Sequence, residues 1–361
     1  MLFRSLIDLV PGATPAGFQN SISDTPARAL ITNVNGVNRN NNRTKVDGAT
    51  NVFIWLTHHT AYVPPAETIE TVSITTSAFD AEQGMAGGAA ITVSTKSGTN
   101  DRHGSAFAFH DNSRFGAKNF FFRDLKTPKG LLNIDGFTLG GPIRKNKLFY
   151  FGGWEGTRER SSRNNLYTVA NPDQRQGDFS AYPTTLYDPT TGNRDGSGRT
   201  PFQNNRIPLD RQNTITRKVQ ELIPLPNRPG LSASNYFNSG TQQMNRDNFD
   251  VKINWNRLER HSIWGKYSRM GAHVTGQPAL GAAVGPCLCD GLSGTGDTLV
   301  QLGTLGHTWT FSPRFLWDAT VGYTRMGQVA LGPDYGRNLG LEVLGIPGTN
   351  GPDRQIGRAH V

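Results

Sequence analysis

The side chains with the greatest capacity for chemistry are scattered along this chain. His58 and His59 are adjacent in "WLTHHTAY". Neighbours on a strand point to opposite faces, so the two cannot easily share one metal ion. Cys287 and Cys289 stand one residue apart in a glycine-rich stretch. Two thiolates are only part of a structural zinc set. A loop disulfide in an oxidising compartment is the expected state, although the ring it closes is small and strained. "GLSGTGDT" (291–298) lacks the lysine and the spacing of a phosphate-binding loop. Glu159 and Asp173 have no identifiable partner for acid–base work. No G-x-S-x-G or H-E-x-x-H pattern occurs, so no catalytic constellation is visible, and no enzymatic activity, cofactor or metal is expected. One short segment concentrates opposite charges: "NNRTKVD", with Arg43, Lys45 and Asp47 close together. Its chemistry is electrostatic pairing, either across an interface or on an ordinary surface.

The elements that position these residues are short strands. The chain has 361 residues with 42 Gly and 21 Pro, and only 35% are hydrophobic, low for a compact soluble enzyme. Aromatics at 9% are too many for a disordered chain. The net charge of +9 fits a basic surface or a basic lumen. No helix-turn-helix, RNP-like or zinc-finger pattern accompanies it, so no nucleic-acid partner is expected. "MLFRSLIDLVPG" reads as a short amphipathic helix stopped by Pro11-Gly12, not as a signal peptide.

Up to about residue 100 the sequence suggests a small mixed α/β region. Its strands lie in "ALITNVNGV", "TKVDGATN", "ETIETVSITTS" and "AAITVSTK", with Asp47-Gly48 and Ser97-Gly98 as turn signals and a helical turn near Ala66–Ile69. From about 103 the chain alternates strictly. "HGSAFAFH" puts Phe107 and Phe109 on one face. "DNFDVKINWN" puts Phe249, Val251, Ile253 and Trp255 on one face, and Asp250, Lys252 and Asn254 on the other. "FLWDATVGYTR" groups Phe315, Trp317, Val321 and Tyr323 against Asp318 and Thr320. Hairpin turns at 144–147, 257–260 and 312–314 are short, whereas the segments at about 157–246 and 270–300 are long and polar.

Short turns at one end and long loops at the other suit a transmembrane barrel. No apolar run is long enough for a helical span. In hydrocarbon every backbone polar group must be paired, so strands cross only as closed barrels, with one face to lipid and one to the lumen. A lysine facing mid-bilayer lipid costs about 2–4 kcal/mol. The sides carrying Asp250, Lys252, Asn254, Asp318 and Thr320 are therefore read as lumen-facing. Phe107, Phe109, Phe249, Val251, Ile253, Trp255, Phe315, Trp317, Val321 and Tyr323 are read as lipid-facing. A soluble antiparallel sheet with its polar face in bulk solvent is the alternative.

Four blocks, "NVNGVNRNNNRTKVDGATN", "AFDAEQGMAGGAAITVSTKSGTNDRHGSAFAFH", "NIDGFTLGGPIRKNKLFYFGGWEGTRE" and "RIPLDRQNTITRKVQELIPLPN", together resemble TonB-dependent outer-membrane receptors of the Oar-like type, in the right order over about residues 2–330. The resemblance implies a plug domain inside a barrel of about 22 strands, energised by an inner-membrane TonB–ExbB–ExbD complex. It also implies a Gram-negative outer membrane, lipid around the barrel, and an unidentified ligand. The expected fold is mainly β. A plug (1–100, truncated at its N-terminal side) is followed by the first part of an antiparallel transmembrane barrel (101–355), about seven or eight strands of the full set. The small residues at 86–90 let plug backbone pack closely. Residues 356–361 back-translate to a common sequencing-adapter read, which marks them as a probable non-native tail. Within this frame Arg43, Lys45 and Asp47 form a plug charge cluster facing lumen charges. The expected function is ligand import by plug movement. A surface adhesin or structural β protein without uptake is the alternative.

Overall fold

The computed structural model describes residues 10–15, 32–52, 60–77, 79–80, 83–84, 86–117, 120, 128–258, 260–283 and 293–349. His58, His59, Cys287, Cys289, most of the amphipathic N-terminal segment and the 356–361 tail lie outside them.

A seven-stranded antiparallel meander dominates. Its strands are β7 (His103–Asn112), β8 (Gly130–Arg144), β9 (Leu148–Tyr167), β10 (Tyr236–Leu258), β11 (His261–Gly276), β12 (Gly294–Ser312) and β13 (Phe315–Leu331). Each pairs with its neighbour in sequence, from β7 at one edge to β13 at the other, and the sheet does not close on itself. The turns at 145–147 and 313–314 are tight, β10 and β11 join at the same end, and the 168–235 connection and residues 277–283 lie at the opposite end. The strands run further into both long connections than the sequence reading placed them. β9 continues to Tyr167 and β10 begins at Tyr236, because Asn, Arg and Ser on both strands keep pairing well past the apolar stretch. Within the first connection lie two short helices, α1 (Pro172–Arg175) and α2 (Thr214–Leu222). Asn171 and Asn213 cap their N-termini. No helix among the described residues is long and apolar enough to cross a membrane.

A second, mixed sheet packs against the meander. Its strands are β3 (Arg43–Val46), β4 (Ala49–Thr50), β5 (Ile69–Thr75) and β6 (Ala90–Thr95), in the order β4-β3-β6-β5. The β3–β6 pair is parallel and the others antiparallel. A separate two-stranded ribbon joins β1 (Ala13–Pro15) and β2 (Thr32–Val34). A single helical turn at Ala66–Thr68 matches the expected one. Val34, Val46, Ala49, Ala89, Ile91 and Val93 form the core, completed by Leu302 of β12. The small sheet thus borrows a side chain from the large one. Ala61 and Tyr62 pack likewise against Met270 of β11 and Val300 of β12. The segment between β6 and β7 is tied to the β8–β9 turn by paired Asn100 and Asn146 amides.

Candidate charge latch between the two sheets

Asp47 stands at the tip of the β3–β4 hairpin. Val46 pairs with Ala49, and both residues between them have positive φ, +45° at Asp47 and +80° at Gly48. That is a type I′ turn, which Asp-Gly adopts with little strain. The turn aims the tip at the large sheet: a β-carbon built on Gly48 would lie 2.8 Å from the Thr320 methyl of β13.

The wall opposite carries an unfavourable arrangement. Lys252 of β10 and Lys266 of β11 are direct cross-strand partners, and like charges so placed repel. Both are buried. Asp47 supplies the counter-charge, with its two carboxylate oxygens 3.1 Å from Lys252 Nζ and 3.1 Å from Lys266 Nζ. Lys266 Nζ also lies 3.2 Å from Asp250 of β10. Two carboxylates and two ammonium groups thus make a neutral quartet built from both sheets. Lys252 additionally donates to the Thr95 carbonyl at 2.9 Å and sits 5.1 Å from the Trp264 ring centroid, a cation–π distance.

Polar neighbours donate to both carboxylates. Thr95 donates to Asp47 from its backbone at 3.0 Å and from its hydroxyl at 2.6 Å. Tyr62 donates its hydroxyl to Asp250 at 2.7 Å, and Ser268 and Thr68 donate to the same carboxylate. Asn51 fixes Tyr62 by bonding both its backbone N–H and its carbonyl. Burial by itself would raise the pKa of Asp47, but the two lysines and the Thr95 donors outweigh it and hold the carboxyl below its ordinary range. Burial, and then the charge of Asp250, push the Tyr62 hydroxyl well above its ordinary range, so it remains a donor. A second buried pair lies further along the same inner face, Arg246 to Glu155 at 3.6 Å, with Arg246 also donating to Thr157. Main-chain ties complete the seam: Thr324 donates to the Thr50 carbonyl and Asn248 to the Val63 carbonyl.

The structure unites only part of the charge cluster read from sequence. Asp47 reaches the wall. Arg43 and Lys45 lie on the half-exposed face of β3, opposite the buried Thr44 and Val46, because alternation along the strand separates them from the turn. Asp250 and Lys252 are buried against the small sheet. Asn254 is half-buried, Thr320 meets the hairpin tip, and Asp318 accepts from Thr308. Phe249, Ile253, Trp255, Phe315, Trp317, Val321 and Tyr323 are exposed on the opposite face, with Val251 half-buried among them.

Phe107 and Phe109 require a correction. Phe107 pairs with Gly136, which pairs with Glu155, a residue of the inner face. Both phenylalanines therefore belong to the side of the small sheet. The outer face here carries Phe137 and Leu139, with Phe137 against Trp154 at 6.1 Å between ring centroids. The physical reason is space. Gly136 leaves a gap across from Phe107, and a β-carbon there would lie 2.4 Å from the Phe107 ring.

Sequence reasoning also missed Lys266, Ser268, Tyr62 and Thr68. The available signal was the alternation in "HSIWGKYS", where placing Ile263 and Tyr267 outward forces Lys266 and Ser268 inward. Among the described residues no group of three or more His, Cys, Asp or Glu could hold a metal ion. The quartet holds no nucleophile–base pair; it is an electrostatic joint between two sheets.

An open meander with an apolar outer face and a charged inner face stoppered by a second sheet defines an outer-membrane barrel architecture. Residues 94–360 match the family described as outer membrane beta barrel domain. The chain belongs to that family, which resides in the Gram-negative outer membrane. Over 160 residues it is 31% identical to the TonB-dependent transporter Oar of Myxococcus xanthus, covering 42% of this chain and 14% of that protein. Two solved structures share the fold. A mutant ferric enterobactin receptor of Pseudomonas aeruginosa in complex with enterobactin aligns with a TM-score of 0.51 at 14% identity, over 91% of this chain and 39% of its own. The outer membrane transporter YddB of Escherichia coli aligns with a TM-score of 0.51 at 11% identity, over 92% of this chain and 37% of its own. The chain therefore spans well under half the length of each relative.

Proposed function

We propose that this chain is the plug and the opening barrel strands of a TonB-dependent outer-membrane transporter, which admits a ligand when the small sheet shifts from the wall. In this reading residues 1–100 form the plug and 101–355 the barrel portion. The connections 168–235 and 277–293 face the cell exterior. The outer positions from Phe249 to Tyr323 meet lipid, and energy comes from TonB–ExbB–ExbD. The relatives are named as transporters and receptors, which favours transport over both adhesion and enzymatic activity.

The observation that carries the reading is the quartet of Asp47, Asp250, Lys252 and Lys266. A permanent core joint would be more stable as packed apolar side chains, since burying ion pairs seldom gains net stability. A joint made of charges has a different property. Once parted, both sides can be hydrated in a water-filled lumen, so the seam can open and re-form without exposing apolar surface.

The test is uptake by the full-length gene product in cells with and without TonB, combined with a tether across the seam. Ala49→Cys and Gly322→Cys put β-carbons side by side, 2.5 Å apart before relaxation, so the hairpin must draw back by about 1 Å to reach disulfide distance. Ligand accumulation should require TonB, stop when the tether is oxidised, and resume on reduction. Accumulation that ignores both TonB and the tether contradicts the proposal and favours an adhesin.

A further inference from the structure

The outer face of β11, β12 and β13 holds charge that the quartet does not involve. Arg269, Gln301 and Arg325 are direct cross-strand neighbours in one row. Both arginines are exposed and Gln301 is half-buried. All three share the face of Tyr267, Leu305, Trp317, Val321 and Tyr323, by strict alternation from the buried Ser268, Leu302 and Val300. The next row toward the short turns is Tyr267, Gly303 and Tyr323. Gln301 donates its amide to the Tyr267 hydroxyl at 2.9 Å, which binds the polar row to the aromatic one.

The nearest carboxylates on this face are already engaged. Asp247 accepts both bonds of a bidentate contact from Arg158, and Asp297 pairs with His273 at 2.6 Å. Neither Arg269 nor Arg325 has an ion-pair partner among the described residues. Their strands are separated by one intervening strand, which sets the backbones about 9–10 Å apart. Two guanidinium groups with an amide between them, at that spacing, suit phosphate oxygens.

Position along the strand decides the source of the phosphate. From Trp317, near the short turn, to Arg325 is eight residues, about 26 Å of strand, or about 20 Å across a bilayer at a 40° tilt. That approaches the height of a lipid-facing apolar band, about 25 Å. The arginine row therefore lies at the headgroup level on the side of the long loops. We propose that Arg269, Gln301 and Arg325 bind the phosphate groups of a phosphorylated glycolipid of the outer leaflet. The proposal rests on the membrane orientation adopted above, and not on transport.

The experiment uses the full-length protein extracted from outer membranes in mild detergent. Native mass spectrometry follows its retention of bis-phosphorylated lipid A and of the dephosphorylated form. The parent should retain the phosphorylated form selectively. Arg269→Gln combined with Arg325→Gln should weaken that retention roughly thirtyfold, as expected for two cationic contacts near a membrane surface, while Arg269→Lys with Arg325→Lys keeps most of it. Equal retention of the two lipids by the parent overturns the proposal, as does full retention by the folded Gln variant. Displacement of the lipid by millimolar inorganic phosphate alone also overturns it. If the Gln variant loses heat-modifiable gel mobility, the parent's discrimination between the two lipids decides. Loss of TonB-dependent uptake with lipid retention intact contradicts the transport reading only.

Discussion

The two faces of the same strands solve opposite problems. On the inner face of β10 and β11, Lys252 and Lys266 are buried side by side and made tolerable by Asp47 from a different sheet. One residue along, on the outer face, Ile253 and Tyr267 are exposed and have no charge to neutralise. The backbone pairing is identical, so the difference comes entirely from what each face meets. The outer face is satisfied by any apolar medium. The inner face is satisfied only by one partner in one position, because a buried ammonium group needs a counter-charge at hydrogen-bonding distance. The outer face therefore tolerates exchange among apolar side chains, and the inner face specifies how the small sheet seats.

The largest effect should come from removing the shared counter-charge. Asp47→Asn keeps the shape of the turn but leaves two lysines with one carboxylate, and should destabilise the seated state by about 3–5 kcal/mol. Denaturant unfolding, with proteolysis of the small sheet as a second readout, checks this. Replacing Lys266 by Met in the Asp47→Asn background should recover much of the loss, since it removes the surplus charge. A single-variant loss below about 1 kcal/mol would mean that water, and not Asp47, neutralises the wall.

How much of this was legible beforehand follows from the range of each interaction. The Asp-Gly turn and the period-two strands are local properties, and both were readable from a few adjacent residues. Lys252 and Asp250 could be assigned to an inner face because a charge has only one tolerable side. Phe107 and Phe109 could not, because a phenylalanine is stable in lipid or against another protein layer, and only the register with Gly136 and Glu155 decides between them. The sequence suggested that the Asp47 cluster meets lumen charges, but not which residues pair. Asp47 and Lys252 lie 205 residues apart in sequence, and nothing local to either names the other.

The next effect belongs to the outer face. Val321 is 71% exposed, near the middle of the apolar band. Val321→Lys should cost about 2–4 kcal/mol if that face meets hydrocarbon. A neutral outcome in lipid vesicles would remove the contrast between the faces, because the outer one would then be in water. Tyr62→Phe follows. It withdraws one donor from Asp250, which keeps Ser268, Thr68 and Lys266. A hydrogen bond to a charged group contributes about 1.5–3 kcal/mol, so unfolding should shift by less than in Asp47→Asn.

Acid should act on the inner face through Asp47. The Asp47 carboxyl titrates lower in the folded state than in an unfolded chain. Its contribution is therefore complete above the unfolded value, about 3.9, and is lost as pH falls through the lower folded value. The denaturant midpoint of the parent should be flat in this respect from pH 8 to 5 and fall below about pH 4. The acid-side fall should be shallower in Asp47→Asn. Equal acid sensitivity in both proteins would assign the response to other carboxylates.

The smallest effect is expected at an outer-face ion pair that is shorter than any ion pair of the quartet. Arg158 and Asp247 on the outer face are 2.8 Å apart, closer than the 3.1 Å between Lys266 and Asp47. Distance alone would rank the outer pair as stronger. Burial reverses the order: the outer side chains are 39% and 44% exposed, the inner ones 1% and 4%. In water the separated partners are well solvated, so an exposed pair contributes only about 0.2–1 kcal/mol, and Arg158→Ala should shift the unfolding midpoint slightly. Lys266→Ala, in the same assay, strips Asp47 and Asp250 of a shared cation with no water to replace it, and should shift the midpoint several times further. Similar shifts for the two substitutions would show that the inner face is as wet as the outer one. The quartet would then be a set of surface contacts, too weak to hold the small sheet against the wall.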